Sequence, residues 1–229
     1  MTKNMTKNYN FKIDLRGNFT EVRDQGRRGT CTAFAVTGCH EQHRNSEEEL
    51  SEEFLFSCAK HVHGSNDNSG VSIQSAFHSI NTWGQTTNAL LPYDAYALRP
   101  RKLNSIEPII LKDALNRKIS DYNSINPNVS VIESCLNKER AVIIGVSVQP
   151  TFWIANAAND YFIDVPHDDS KEGLHAVLIV GYGEKADGKK IFIIRNSWGS
   201  SWGDDGYAYL SYEYFNKYNH GAWFLPREA

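Results

Sequence analysis

The stretch Asp24-Gln25-Gly26-Arg27-Arg28-Gly29-Thr30-Cys31-Thr32-Ala33-Phe34-Ala35-Val36 changes character at its middle. Turn-forming residues and two glycines give way to small and apolar side chains, a run long enough to begin a buried helix. Cys31 stands at the join. A thiol in the first turn of a helix meets unpaired backbone N–H groups and the positive end of the helix dipole. That setting favours the thiolate, which is the nucleophilic form. Gln25, upstream, carries an amide able to donate to a developing oxyanion. By itself, a cysteine in a small-residue helix is ordinary packing, so the decision falls to the rest of the chain.

Three segments together decide it. Gln25-Gly26-x-x-Gly29-x-Cys31-x-Ala33-Phe34 resembles the active-site segment of the papain family of cysteine proteases. Leu174-His175-Ala176-Val177-Leu178-Ile179-Val180-Gly181-Tyr182-Gly183 resembles that family's histidine strand. Asn196-Ser197-Trp198-Gly199-Ser200-Ser201-Trp202-Gly203-Asp204-Asp205-Gly206-Tyr207 resembles its asparagine segment. The separation of Cys31 and His175 falls inside the roughly 130–150 residues typical of such enzymes. The resemblance implies an α+β, papain-like fold: a helical lobe, an antiparallel β-barrel-like lobe, and an active-site cleft between them. It implies Cys31 as nucleophile, His175 as general acid/base and Asn196 as the group orienting the imidazole. Gln25 and the backbone N–H of Cys31 would hold the oxyanion. Trp198 would cover the Asn196–His175 bond and border the substrate, and Gly70 of Ser69-Gly70 would bind substrate backbone. The expected partner is a peptide or protein substrate, with a separate protein inhibitor or regulatory domain as a further candidate. No cofactor and no metal are expected.

Composition narrows the alternatives. A chain of 229 residues can bury a sizeable core, and a formal net charge of −3 gives no electrostatic case for nucleic acid or an anionic membrane. The longest apolar runs, such as 141–146, fall far short of the ~20 residues that span a bilayer. The polar start, residues 1–10, lacks the apolar core of a secretory signal. With Cys31 set aside as nucleophile, Cys39, Cys58 and Cys135 make an odd set, a poor disulfide framework that suits a reducing compartment. The expectation is a cytoplasmic protein, or one exported without a cleaved signal. The family commonly carries a disulfide cysteine three positions before the nucleophile; here that position is Arg28, and Cys58 resembles the place of its partner. Two further departures are Thr32 for the family's tryptophan and Ser69 for the first of its paired glycines. The family's propeptide has no visible counterpart.

Along the chain, 11–16 alternates like a strand and 17–30 reads as loop. A helix begins at Cys31 and turns polar at 40–44, where it should reach solvent. Residues 50–60 form a second helix with Ser51 as N-cap and Glu52 and Glu53 in its first turn, and 72–80 a third capped by Ser72. Pro108 suits the first turn of a helix over 105–116, and 130–138 reads as another. Strands follow at 141–148, 176–181, 190–195, 207–211 and 222–225, with Asp187-Gly188 as a hairpin signal. Helices first and strands later give one catalytic domain, 1–229. Residues 18–118 form the mainly helical lobe with Cys31, and 119–229, joined by strand 11–16, the mainly β lobe with His175 and Asn196.

Other readings of the same residues stay open at this level. Cys39-His40-x-x-His43 and Cys58-x-x-His61-x-His63 contain residues that bind zinc, at spacings unlike a familiar finger, with His40 and His43 expected on a helix surface. The papain-like site could transfer an acyl group to something other than water, as a deamidase, transamidase or ligase. It could also be silent, on a module that only binds peptide. The strands bearing His175 and Asn196 are joined near 183–188, but a slip of one residue would turn Asn196 to the other face.

Overall fold

The computed structural model describes residues 8–45, 48–168, 170 and 173–226. In chain order the elements are β1 (Tyr9–Asp14), α1 (Cys31–Arg44), α2 (Glu52–His63), α3 (Ile73–Trp83), α4 (Pro108–Ala114), β2 (Asn123–Ile125), α5 (Val129–Leu136), β3 (Val142–Val148), α6 (Pro150–Trp153), β4 (Phe162–Ile163), β5 (Gly173–Lys185), β6 (Lys190–Arg195), β7 (Tyr207–Ser211), α7 (Tyr212–Tyr218) and β8 (Asn219–Phe224). The helices α1 to α4 precede all strands but β1, as an α+β chain requires. The caps act as read from sequence: the side chain of Ser51 accepts from Phe54 N, and that of Ser72 from Ser75 N. The helix expected over 105–116 is shorter. It starts at Pro108, after a 3-10 turn at Leu103–Ser105, and ends in another at Leu115–Arg117.

The strands run β2-β8-β3-β5-β6-β7-β4, with β1 pairing β5 beyond a bulge in that strand's other ladder. The sheet is an open path with two ends rather than a closed barrel, and β4 pairs β7 in parallel while the other neighbours are antiparallel. β5 is the longest strand, thirteen residues, and serves β3, β6 and β1 along its length. Its centre, from Ala176 to Gly183, is buried, which explains the unbroken apolar run seen there.

α1 lies against this strand. Gly38 faces Leu178, where an added Cβ would sit at an ordinary 3.6 Å from the leucine Cδ2. Buried on all sides from Thr32 to Glu41, α1 joins the two lobes. One large apolar core runs from α1, α2 and α3 into the sheet. A second, smaller cluster holds Phe54, Cys58, Leu91, Ile106, Ile110 and Ala114. The polar end of α1 reaches solvent at Arg44, as expected, but its first residue does not. His40 is fully buried, not at the surface, because its Nδ1 finds Gln85 Oε1 at 2.9 Å inside the helical lobe.

Candidate active site

Cys31 is the first residue of α1 and is half-buried. Its neighbour across the lobes is His175 on β5, whose imidazole lies close enough to the thiol for each group to shift the other's titration. Register accounts for the third member. β5 and β6 pair Leu178 with Arg195, so Asn196 leaves the end of β6 beside the stretch of β5 that carries His175. The bulge between Ile179 and Gly181 absorbs one residue and fixes the face on which each side chain emerges. His175 Nε2 lies 2.7 Å from Asn196 Oδ1. The same Oδ1 accepts from Ser197 N at 2.8 Å, which orients the amide with its oxygen toward the ring. Nε2 is therefore the donor, and Nδ1 is left to face the thiol.

The electrostatics separate Cys31 from the other thiols. Burial alone would raise its pKa. The hydrogen bond and charge of His175, and backbone N–H groups of Ala176 and Thr32, overcome that and hold it below the ordinary thiol value. Burial would lower His175, but the bond and charge of Cys31 and the bond to Asn196 raise it. Both directions favour a thiolate–imidazolium pair. By contrast, burial pushes Cys39 up to about 12 and raises Cys58 and Cys135 as well. A cavity of about 550 Å³ lies at the far end of α1 beside Gln42 and Asn45, and the thiol that lines it is Cys39.

Gln25 is buried beside the nucleophile loop. Its Nε2 donates one N–H to Arg28 O at 2.8 Å, leaving the second available. Ser197 Oγ donates to Gln25 Oε1 at 2.6 Å, and Gln25 N to Ser197 O at 2.8 Å. Ser197 therefore sets which way the amide points. Its place within the Asn196 segment was visible in sequence; its partner across the lobes was not. Trp198 packs its ring 4.9 Å from that of His175, at 31°. Two aromatic residues that the sequence reading passed over brace it. Trp153, 56 % exposed, stacks on Trp198 at 4.5 Å and 5°. Phe152, fully buried, meets His175 edge-on at 6.5 Å and accepts at its backbone oxygen from Trp202 Nε1 at 3.2 Å. Their signal was the aromatic pair closing the short helix after β3.

Gly70 is exposed on a loop that touches the nucleophile segment. A Cβ on Gly29 would come within 2.7 Å of Asn68 O and 2.9 Å of Gly70 N, so only glycine permits that approach. Arg28 is buried and does not meet Cys58. Its guanidinium pairs with Glu53 and donates to Asn68 Oδ1 at 3.1 Å and Asp94 O at 2.8 Å, while Cys58 packs in the small apolar cluster. Among the described residues no group of three or more His, Cys, Asp or Glu is placed to hold a metal ion, the Cys39-His40-x-x-His43 and Cys58-x-x-His61-x-His63 sets included.

The fold is papain-like, and at its helix–sheet junction the His175 imidazole is held by the Asn196 carboxamide, with Trp198 packed against it and the Cys31 thiol close by. The match is to the papain family of cysteine proteases, over residues 9–221, and the chain belongs to that family. It is 30% identical over 210 residues to a cathepsin L-like proteinase of Fasciola hepatica and 33% identical over 210 residues to peptidase 1 of Dermatophagoides farinae. Both alignments cover 87% of this chain and 60% of the relative, so the chain spans about three-fifths of the length of these curated relatives. Among solved structures, xylellain, a cysteine protease from Xylella fastidiosa, superimposes with a TM-score of 0.82 at 26% identity, covering 100% of this chain and 90% of that one. Bromelain from Ananas comosus in complex with the E64 inhibitor gives 0.73 at 25% identity, covering 94% and 98%.

Proposed function

We propose that this chain is a cysteine peptidase that hydrolyses peptide bonds through a thioester acyl-enzyme on Cys31. The observation that carries the proposal is His175 Nε2 held 2.7 Å from Asn196 Oδ1 while the ring stands beside the Cys31 thiol, each raising or lowering the other's titration toward an ion pair. In this reading the Cys31 thiolate attacks the substrate carbonyl. The oxyanion that forms accepts from the Cys31 backbone N–H and from the second N–H of Gln25. The His175 imidazolium gives its Nδ1 proton to the departing amine. As a base it then draws a proton from water, whose oxygen attacks the thioester and releases the acid. Asn196 keeps the ring aimed through both steps, and Trp198 shields that bond from solvent. Gly70 offers backbone to the acyl side of the substrate. The Trp153–Trp198 stack borders the side where the amine leaves, since that is the side of His175. No step calls for a metal or organic cofactor. Four free cysteines support a thiol-reduced setting for this chemistry.

The test is covalent labelling. A thiol-directed epoxide peptide is added to the protein and to Cys31→Ala, and intact masses are read. One label per chain, lost in the variant, is the expected result; an unlabelled wild type refutes the proposal. Product masses from a peptide-library digest then separate hydrolysis from acyl transfer.

A further inference from the structure

The three departures from the family pattern, Arg28, Thr32 and Ser69, meet at one place, the loop 65–71 that carries Gly70. Lys60, near the end of α2, stands at its centre. The Lys60 side chain is only 1% exposed, and a buried ammonium without partners is strongly destabilising. All three acceptors that it finds come from this loop: Ser65 Oγ at 3.2 Å, Asp67 Oδ1 at 2.7 Å and Ser69 Oγ at 2.8 Å. An ammonium has three protons, so its demand is met in full. A glycine at 69 could not supply the third. Asp67 is locked in turn by donation from Ser69 N at 2.9 Å and from the Ser69 hydroxyl.

The other face of the loop is tied to the nucleophile segment. Arg28 Nε donates to Asn68 Oδ1, Gly29 N donates to Asn68 O at 2.9 Å, and Thr32 Oγ1 donates to Val71 O at 2.9 Å. Glu53 holds Arg28 from α2. Every tie is a hydrogen bond or an ion pair, and none is covalent.

We infer that Lys60, acting with Arg28 and Thr32, is a positioning residue that clamps the loop 65–71 onto the Cys31 segment and so sets where Gly70 meets the substrate backbone. The inference rests on the peptidase reading above. Lys60 does not touch the reacting atoms; it acts through Ser69 and Asp67. The clamp contains no disulfide, so substrate affinity is indifferent to thiol reductants.

The experiment measures the reversible inhibition constant of the epoxide peptide separately from the alkylation rate of Cys31 by iodoacetamide, which needs no binding edge. Lys60→Met is expected to weaken peptide binding about tenfold, the worth of roughly one hydrogen bond to a charged group, with iodoacetamide alkylation unchanged. Asp67→Asn, which keeps an oxygen acceptor facing the ammonium but removes its charge, is expected to weaken binding in the same direction, with melting curves to show that the variant is folded. The double variant should be no worse than Lys60→Met alone, and excess dithiothreitol should leave wild-type affinity as it was. A wild type that the peptide does not label overturns the peptidase reading and this inference with it. Normal labelling, with additive effects or unchanged affinity in Asp67→Asn, overturns the clamp alone.

Discussion

Asn196→Ala tests the orienting role directly. The substitution removes the acceptor that His175 Nε2 meets at 2.7 Å and leaves that N–H buried beneath Trp198. In the reaction the ring is an imidazolium, so the lost bond is one to a charged group, worth about 1.5–3 kcal/mol. At 1.36 kcal/mol per factor of ten, the rate should fall about 10- to 150-fold. The imidazolium also loses one of the groups that raise its pKa, so the ion pair should give way at lower pH in the variant than in the wild type. The assay is second-order inactivation by the epoxide peptide across pH, beside melting curves to show that the variant is folded. Asn196→Gln serves as control, since it keeps the amide but displaces it. A folded Asn196→Ala whose inactivation stays within a factor of about three of the wild type would refute the reasoning, because a bond worth so little could not be orienting a charged ring.

Other expectations are as follows. Cys31 should alkylate well below the ordinary thiol pKa of ~8.5; His175→Gln should return the profile to that region, and a wild-type profile rising only there would count against the ion pair. Gln25→Ala should cost roughly 10²-fold in turnover, as for loss of one oxyanion donor, with iodoacetamide alkylation of Cys31 unaltered. Arg28→Met should destabilise by about 3–5 kcal/mol in urea unfolding, since it strands the Glu53 carboxylate in the interior; pairing it with Glu53→Leu should restore much of that loss. Burial, opposed by Arg23 and reinforced by Glu41, pushes the Glu52 carboxyl up to about 8. A raised folded pKa means that this group's contribution is complete below the unfolded carboxyl range and is lost as pH climbs through about 8. Glu52→Gln should therefore flatten the decline of melting temperature over that interval, and an unchanged slope would assign it elsewhere.

Much of this molecule is local information. The small-residue run after Cys31 points to a buried helix, Ser51 and Ser72 carry their own capping hydroxyls, and the apolar stretch 176–181 reads as a strand. Those choices depend on neighbours a few positions away, whereas residues 25, 31, 175 and 196 were marked by the resemblance of three segments to the papain family rather than by local pattern. What the chain could not state alone was register and distance. A bulge between Ile179 and Gly181 decides that Asn196 faces His175. The burial of His40 depends on Gln85, and the conversion of Arg28, Thr32 and Ser69 into one clamp depends on Lys60. These are meetings of polar groups far apart in sequence, and their energy exists only once packing has removed the water between them.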